Sequence, residues 1–124
     1  MATRSTIAVR HADNTVSQIY CHWDGYLEHN GKILRSFYTT LEAAEALVAG
    51  GDMSSLDGTI EKCEYYTQRG EELNIRKFAS IGDYARNRQD EEFNYLWDQG
   101  QWKVIGYATD EQWKLLTEAI QELI

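Results

Sequence analysis

A cluster of polar and aromatic side chains lies at the end of a predicted strand and has the composition of a ligand-binding site. It contains His22, Trp23, Asp24 and Tyr26. An imidazole, a carboxylate and two aromatic rings are groups that line sites for nucleobases or sugars. A turn at a strand end presents side chains to solvent from a rigid base, which favours a functional site. The alternative, which stays open, is that Trp23 and Tyr26 cover the core and that Asp24 only turns the chain.

A second set of suitable side chains lies in a predicted turn further along the chain, where Arg69 and Glu71 flank a glycine. If the two turns meet, they form a pocket with aromatic walls, a cation and carboxylates, which suits a base or sugar that carries a phosphate. A third turn, residues 97–102, would add two tryptophan rings. The predicted ligand-binding residues are His22, Trp23, Asp24, Tyr26, Arg69 and Glu71.

The sequence predicts no catalytic residue, no metal site and no cofactor. The Cys-x-x-Cys and His-Glu-x-x-His spacings of zinc sites do not occur. Cys21 and His22 are neighbours in a predicted strand, so their side chains point to opposite faces and cannot form a thiolate–imidazolium pair. Gly50 and Gly51 end a predicted helix instead of beginning one, so the helix dipole there disfavours a phosphate.

Hydrophobic periodicity predicts the elements that would hold these residues. Predicted strands cover residues 7–10, 16–23, 60–66, 73–78, 93–97 and 102–104. Predicted helices cover residues 33–38, 41–48 and 80–88, and a final helix is capped by Asp110. Residues 52–58 are predicted as a polar loop. Turn residues between strands indicate hairpins, so we expect an α+β fold with a mostly antiparallel sheet of about six strands and helices packed on one face, in two layers.

The composition indicates one acidic domain. The chain has 124 residues, of which 43% are hydrophobic, and this is enough for one core without disulfide support. A formal net charge of −8 disfavours direct binding of nucleic acid. Two interpretations of the acidic surface stay open, namely solubility and engagement of a basic partner. The acidic run Asp90, Glu91 and Glu92 is predicted to bind such a partner.

The sequence contains neither an apolar run of the roughly 18 residues that a membrane span needs nor the apolar core of a signal peptide. It therefore predicts a cytoplasmic protein with no membrane partner. Cys21 and Cys63 are expected to be reduced and buried. The C-terminal helix is more apolar than one core face needs, and two interpretations stay open: a homodimer surface, or packing on its own sheet. Its apolar residues are Leu115, Leu116, Ile120, Leu123 and Ile124.

Several segments resemble a family of small uncharacterised proteins from tailed-phage and prophage genomes. The most specific is Ile-Tyr-Cys-His-Trp-Asp-Gly-Tyr at residues 19–26, followed by His-Asn-Gly-Lys-Ile-Leu at residues 29–34. Family members usually have proline where this chain has Leu27, and often where it has Leu41, and neither departure affects the expected fold. The resemblance implies a phage origin and no particular reaction. The similarity continues through residues 47–56, 66–71 and 95–102.

A phage origin without catalytic motifs favours a binding role. The resulting hypothesis is a phage-type accessory protein that acts in the cytoplasm of the host cell by non-catalytic binding of a host protein or complex. An anti-CRISPR-like inhibitor of a host defence system is one form of it. The alternative is a small-molecule binder that sequesters a nucleotide immune signal in the aromatic pocket, and a third hypothesis is an enzyme that acts on a nucleotide. The analogy with other phage proteins is weaker than an argument from a site.

Overall fold

Strand pairing joins eight strands into one mixed sheet. In the computed structural model, which describes residues 2–123, the strands are Ser5–Arg10 (β1), Val16–Cys21 (β2), Met53–Ser55 (β3), Glu64–Tyr65 (β4), Arg76–Phe78 (β5), Phe93–Asp98 (β6), Gln101–Gly106 (β7) and Lys114–Leu115 (β8). The helices are Lys32–Phe37 (α1), Leu41–Val48 (α2), Ile81–Asn87 (α3) and Leu116–Gln121 (α4). None of the helices between residues 2 and 123 is long and apolar enough to cross a bilayer.

The order of the strands is β4-β3-β2-β1-β6-β7-β8, and β5 also pairs with β2. The predicted hairpins β1·β2 and β6·β7 are antiparallel, whereas β1·β6 and β2·β3 are parallel. The predicted α+β class and the mostly antiparallel sheet are confirmed. The parallel pairs were not predicted, because turn signals in a sequence report only on strands that are neighbours in the chain.

Helices cover both faces of the sheet, so the predicted arrangement with helices on one face is wrong. Ile7 and Tyr95 face the main core, which also contains buried residues of α1, α2 and α4. Their chain neighbours Ala8 and Leu96 point to the other face, where they form a second cluster with Tyr84 of α3. Every residue of β6 is buried. Asn94 and Asp98 lie on the second face of β6, and polar residues that alternate with apolar ones usually indicate a face exposed to solvent.

Short strands in the middle of the chain account for three differences from the prediction. Residues Ile60–Lys62 form a 3-10 turn, so only Glu64–Tyr65 remains of the predicted strand 60–66. The predicted strand 73–78 is shortened to Arg76–Phe78. The predicted loop 52–58 contains strand Met53–Ser55. Strands of two or three residues are too short to show a period of alternating side chains, so the sequence pattern could not define them.

The last helix begins later than predicted. Asp110 and Glu111 have φ angles of 54° and 57°. Asp110 ends the 3-10 turn Tyr107–Thr109, and the residue that precedes α4 is Leu115, so Asp110 does not cap the last helix. Residues Lys114–Leu115 then pair with β7, and α4 begins only at Leu116. Trp113 therefore lies before the helix and not on its core-facing stripe.

Both cysteines are buried and free, as predicted. Burial raises the pKa of the Cys21 thiol to about 12. Burial also raises the pKa of the Cys63 thiol, which lies 3.7 Å from the Tyr38 hydroxyl. A thiol with a raised pKa is a poor nucleophile at neutral pH, so both side chains act as small core residues.

Candidate functional site

The aromatic residues predicted to bind a ligand lie on the surface after β2. The Tyr20 hydroxyl and Nδ1 of His22 are 2.7 Å apart. The His22 ring meets the Trp23 ring in an edge-on arrangement with centroids 4.7 Å apart. Trp23 is 45% exposed and Tyr26 is 36% exposed, so neither ring is buried in the core. The rings are therefore accessible to a ligand.

Asp24 makes the turn that follows Trp23. Its φ angle is 58°, in the left-handed region. The Asp24 carbonyl accepts a hydrogen bond from the N–H of buried Asn30 at 3.2 Å. The Asn30 amide also donates to the Trp23 carbonyl at 3.3 Å and to the Cys21 sulfur at 3.4 Å. These contacts hold the turn against the core, so the aromatic rings project from a fixed backbone.

Arg69 and Glu71 lie in the segment that follows β4. The Arg69 guanidinium lies 5.5 Å from the centroid of the Tyr66 ring. The N–H of Glu71 donates to the Tyr66 carbonyl at 3.3 Å. The Tyr66 N–H in turn donates to the carbonyl of Asp52, whose carboxylate accepts the N–H of Tyr20. The N–H of Trp23 donates to the Ser54 carbonyl, whereas Tyr66 bonds Asp52, so the two predicted halves of the pocket leave the sheet at opposite ends of β3.

The third predicted wall, residues 97–102, lies at the opposite end of the sheet. Ser5 pairs with Cys21 on one side and Phe93 on the other. Val9, further along β1, pairs with Trp97. Four residues of strand span roughly 13 Å, which separates Trp97 from the end of β2. The expectation that this turn joins the pocket is wrong, because β1 and β6 are parallel.

The acidic run predicted to bind a partner is held by neighbouring groups. The Asp90 carboxylate accepts a hydrogen bond from the Asn94 side-chain amide at 2.9 Å. The Glu91 N–H donates to the Asn94 side-chain oxygen at 3.0 Å, and the Glu92 carboxylate accepts the N–H of Arg4 at 3.3 Å. Asp90 and Glu92 remain exposed, so a partner can still reach their carboxylates.

A cleft beneath α3 is a candidate site that the sequence did not predict. It encloses about 480 Å³, within the range of natural ligand pockets. Leu96 of β6 lines it together with Ile81 and Tyr84 of α3. Trp113 and Leu115 also line it. We call this site the α3 cleft.

Tyr84 leaves an unsatisfied polar group at the α3 cleft. The residue is 1% exposed, and its hydroxyl has no hydrogen-bond partner among residues 2–123. Burial raises the pKa of the phenol, so the hydroxyl stays protonated and can donate or accept. The Arg88 guanidinium lies 5.8 Å from the Tyr84 ring centroid and 5.6 Å from that of Trp113. A buried polar group without a partner costs about 1–3 kcal/mol. The oxygen has no surface open to the cleft, so a ligand there meets Tyr84 only as part of an apolar wall.

Both lysines that line the α3 cleft are already paired. Asp98 accepts hydrogen bonds from Lys103 at 2.9 Å and from Arg10 at 3.1 Å. Burial alone would raise the pKa of Asp98, but these hydrogen bonds outweigh it and lower that pKa. Lys114 lies 2.8 Å from Glu122, and this hydrogen bond raises the pKa of Lys114. Because both lysines have carboxylate partners, the cleft suits a neutral, mostly apolar group better than a phosphate.

The sequence placed the two aromatic residues of the α3 cleft in the core. Tyr84 does face the sheet, as the helical spacing of Ile81, Tyr84 and Ala85 predicts. Trp113 was assigned to the stripe of the last helix, but it lies before β8 and is 38% exposed. No local pattern in the sequence signals the left-handed residues that move Trp113 off the helix.

Two of the five apolar residues that suggested a homodimer surface on the C-terminal helix are buried. Leu116 and Ile120 are buried in the main core. Leu115 is half-buried beside the α3 cleft, and Leu123 is 46% exposed. Ile124 lies outside the described residues. A homodimer through this helix stays a prediction.

Similarity to known proteins does not identify a function for this chain. No family model, no curated protein and no solved structure matches it. Among residues 2–123, no group of three His, Cys, Asp or Glu side chains is arranged to hold a metal ion. The α3 cleft and the exposed rings after β2 are therefore the two surfaces from which a binding function can be argued.

Proposed function

We propose that this chain is a phage-type accessory protein that binds a host protein in the cytoplasm without catalysis, and that the α3 cleft receives a side chain of that partner. The partly exposed Trp113 ring at the mouth of a mostly apolar cleft carries the proposal. The phage origin rests on the resemblance of residues 19–26 and of the segments that follow them. An inhibitor of a host defence system is the form of binding protein that this origin favours.

The shape and polarity of the α3 cleft favour an apolar or aromatic side chain. The partly exposed ring of Trp113 offers a surface for stacking, and Ile81, Leu96 and Leu115 offer apolar contact. Buried aromatic anchors of this kind supply much of the affinity of protein interfaces. The net charge of −8 favours a partner with a basic surface around the anchor.

Replacing Trp113 with alanine is expected to weaken partner binding at least tenfold, because a central aromatic contact contributes about 2 kcal/mol or more. The test captures the tagged chain with its partner from host lysate, quantifies the partner by mass spectrometry and then measures the affinity of the purified pair. Phe37→Ala is the control, since Phe37 is 61% exposed on α1, away from the cleft. Equal capture by Trp113→Ala and the unchanged chain would reject the α3 cleft as the binding surface.

Sequestration of a nucleotide signal is the second candidate function, and the exposed rings after β2 favour it. His22 and Trp23 project from a fixed turn, and Arg69 follows β4 on the other side of β3. Aromatic rings that stack on a base and a guanidinium that binds a phosphate are suitable for such a ligand. Asp24, Tyr26 and Glu71 complete the predicted ligand-binding set.

If the chain sequesters a nucleotide, the purified protein is expected to release it on heat denaturation, and chromatography with mass spectrometry would identify it. Trp23→Ala and Arg69→Ala are expected to reduce the bound amount at least tenfold, because each removes one of the two recognition elements. Trp113→Ala is expected to retain the nucleotide. A folded protein that neither releases nor takes up any nucleotide would eliminate this candidate.

A further inference from the structure

Three polar side chains are aligned where β1 turns into β2. Nδ1 of His11 lies 2.5 Å from Oε2 of Glu45, and Nε2 of His11 lies 2.8 Å from Oγ of Ser17. His11 follows β1, Ser17 belongs to β2 and Glu45 belongs to α2. Contacts among three separate elements therefore produce one continuous chain from a carboxylate through an imidazole to a hydroxyl.

The hairpin turn holds His11 in position. The His11 N–H donates to the Thr15 carbonyl at 2.8 Å, and the His11 carbonyl accepts the Asn14 N–H at 2.9 Å. The Asp13 carboxylate accepts both the N–H and the hydroxyl of Thr15, at 3.0 and 2.6 Å. Asn14 adopts a φ of 71°, which closes the turn. The imidazole is thus attached to a fixed backbone beside the Ser17 hydroxyl.

The order of these groups matches the chemistry of an activated serine. A carboxylate at Nδ1 keeps the proton on that nitrogen and leaves Nε2 free to accept the proton of a serine hydroxyl. Ser17 is 9% exposed, so its hydroxyl is largely removed from competing water. The His11 and Glu45 side chains are 26% and 37% exposed. The geometry meets the requirement that nucleophile and base lie within hydrogen-bonding distance.

A cavity of about 380 Å³ lies beside Ser17, and the cationic side chain of Lys77 lines it. His11, Ser17 and Lys77 all line it, together with Phe78 and Ala79. Lys77 lies directly opposite Ser17 in the pairing of β2 with β5. Directly opposite residues share a face of the sheet with Cβ atoms about 5 Å apart, so the Lys77 ammonium can reach a negative charge that forms beside Ser17. Phe78 is the next residue along β5, so its ring points to the opposite face and packs against Tyr84, and Ala79 offers the apolar contact to a short acyl group.

We propose that Ser17 is the catalytic nucleophile of a second activity, the hydrolysis of small carboxylic esters, with His11 as general base and Glu45 as a positioning residue. The Ser17 oxygen bonds to the ester carbonyl carbon while its proton passes to Nε2 of His11. The carbon–oxygen bond to the alcohol then breaks, and the alcohol leaves with that proton. Water attacks the acyl-serine, passes a proton through His11 back to Ser17, and releases the carboxylic acid. Lys77 stabilises the oxyanion of both steps.

The expected result is hydrolysis of p-nitrophenyl acetate by the full chain and a fluorophosphonate adduct on the peptide that contains Ser17. Ser17→Ala is expected to lower kcat/KM about 100-fold, and Lys77→Met about tenfold. Glu45→Ala is expected to lower kcat with KM unchanged, and Glu45→Asp is expected to restore part of the loss, because Glu45 acts by positioning His11.

Controls separate this activity from hydrolysis by any surface histidine or serine. His29→Ala and Ser36→Ala are expected to hydrolyse the ester at the rate of the unchanged chain. If Ser17→Ala does not fold, peptide mapping of the unchanged chain after fluorophosphonate labelling still shows whether Ser17 is the residue that reacts. No adduct on Ser17 of folded protein, or equal rates for Ser17→Ala and the unchanged chain, would show that the three side chains only fasten the hairpin to α2.

Discussion

Gly106→Ala is expected to destabilise the fold by about 3 kcal/mol, at the upper end of the cost of overpacking. A Cβ atom at this position would collide with the carbonyl oxygen of Glu92 and lie 3.3 Å from the Cα of Phe93. Gly106 pairs with Phe93, so the added atom would push β7 away from the beginning of β6. Urea unfolding followed by tryptophan fluorescence measures the effect.

Gly100→Ala is the matched control for this prediction, because it changes the other glycine of the same hairpin. Gly100 has a φ of 83°, and apart from its chain neighbours no atom of residues 2–123 lies within 4 Å of the place that a Cβ would occupy. An alanine there meets strain but no clash, and strain of this type costs about 1 kcal/mol. Equal losses in the free energy of unfolding for Gly106→Ala and Gly100→Ala would show that the clash is not what destabilises Gly106→Ala.

Asn94→Leu is the second substitution with a large expected effect, a loss of about 3 kcal/mol in the free energy of unfolding. Asn94 is fully buried and accepts hydrogen bonds from the Thr6 hydroxyl at 2.9 Å and the Glu91 N–H at 3.0 Å. Its amide donates to the Asp90 carboxylate and to the Ile105 carbonyl. Leucine has a similar size but makes none of these bonds, so several polar groups would lose their partner.

Hydrogen exchange shows where the Asn94 substitution acts. We expect faster exchange of backbone amides at residues 90–92, because Asn94 holds the acidic run against β6. Asn87→Ala is the control, since Asn87 is exposed and its side chain donates only one hydrogen bond, to Asp83, within residues 2–123. Its expected cost is below about 0.5 kcal/mol. A change of less than about 1 kcal/mol in Asn94→Leu would contradict a structural role for the network.

The parts of the fold that depend on neighbouring residues were predictable. The alternation of Phe93, Tyr95 and Trp97 predicted β6, and the glycine after Gln99 predicted its turn, where Gln99 and Gly100 have φ angles of 54° and 83°. The parallel pairing of β1 with β6 was not predictable from those signals. That parallel pairing depends on burial of both faces of β6, whereas the polar residues Asn94 and Asp98 are typical of a face exposed to solvent.

The candidate sites also differ in how much of each could be predicted from neighbouring residues in the sequence. The turn at Asp24 was predictable from the Asp-Gly pair at the end of a strand. The exposure of Trp23 was left open, because a ring at a strand end can either cover the core or face solvent. The α3 cleft depends on the left-handed backbone at Asp110 and Glu111, which hydrophobic spacing does not report. The alignment of His11 with Ser17 had one available signal, since residues that bracket a hairpin turn come close together, but the contribution of α2 required the tertiary structure.

The sheet is completed late in synthesis, because β6, the parallel neighbour of β1, lies far along the chain. The hydrogen bond between Thr6 and Asn94 joins residues 88 positions apart. The first hairpin can close as soon as it leaves the ribosome, but one of its edges has no strand beside it until β6 has been made. An uncovered strand edge is prone to pair with other chains, so we expect the nascent chain to be most prone to aggregation before β6 has been made.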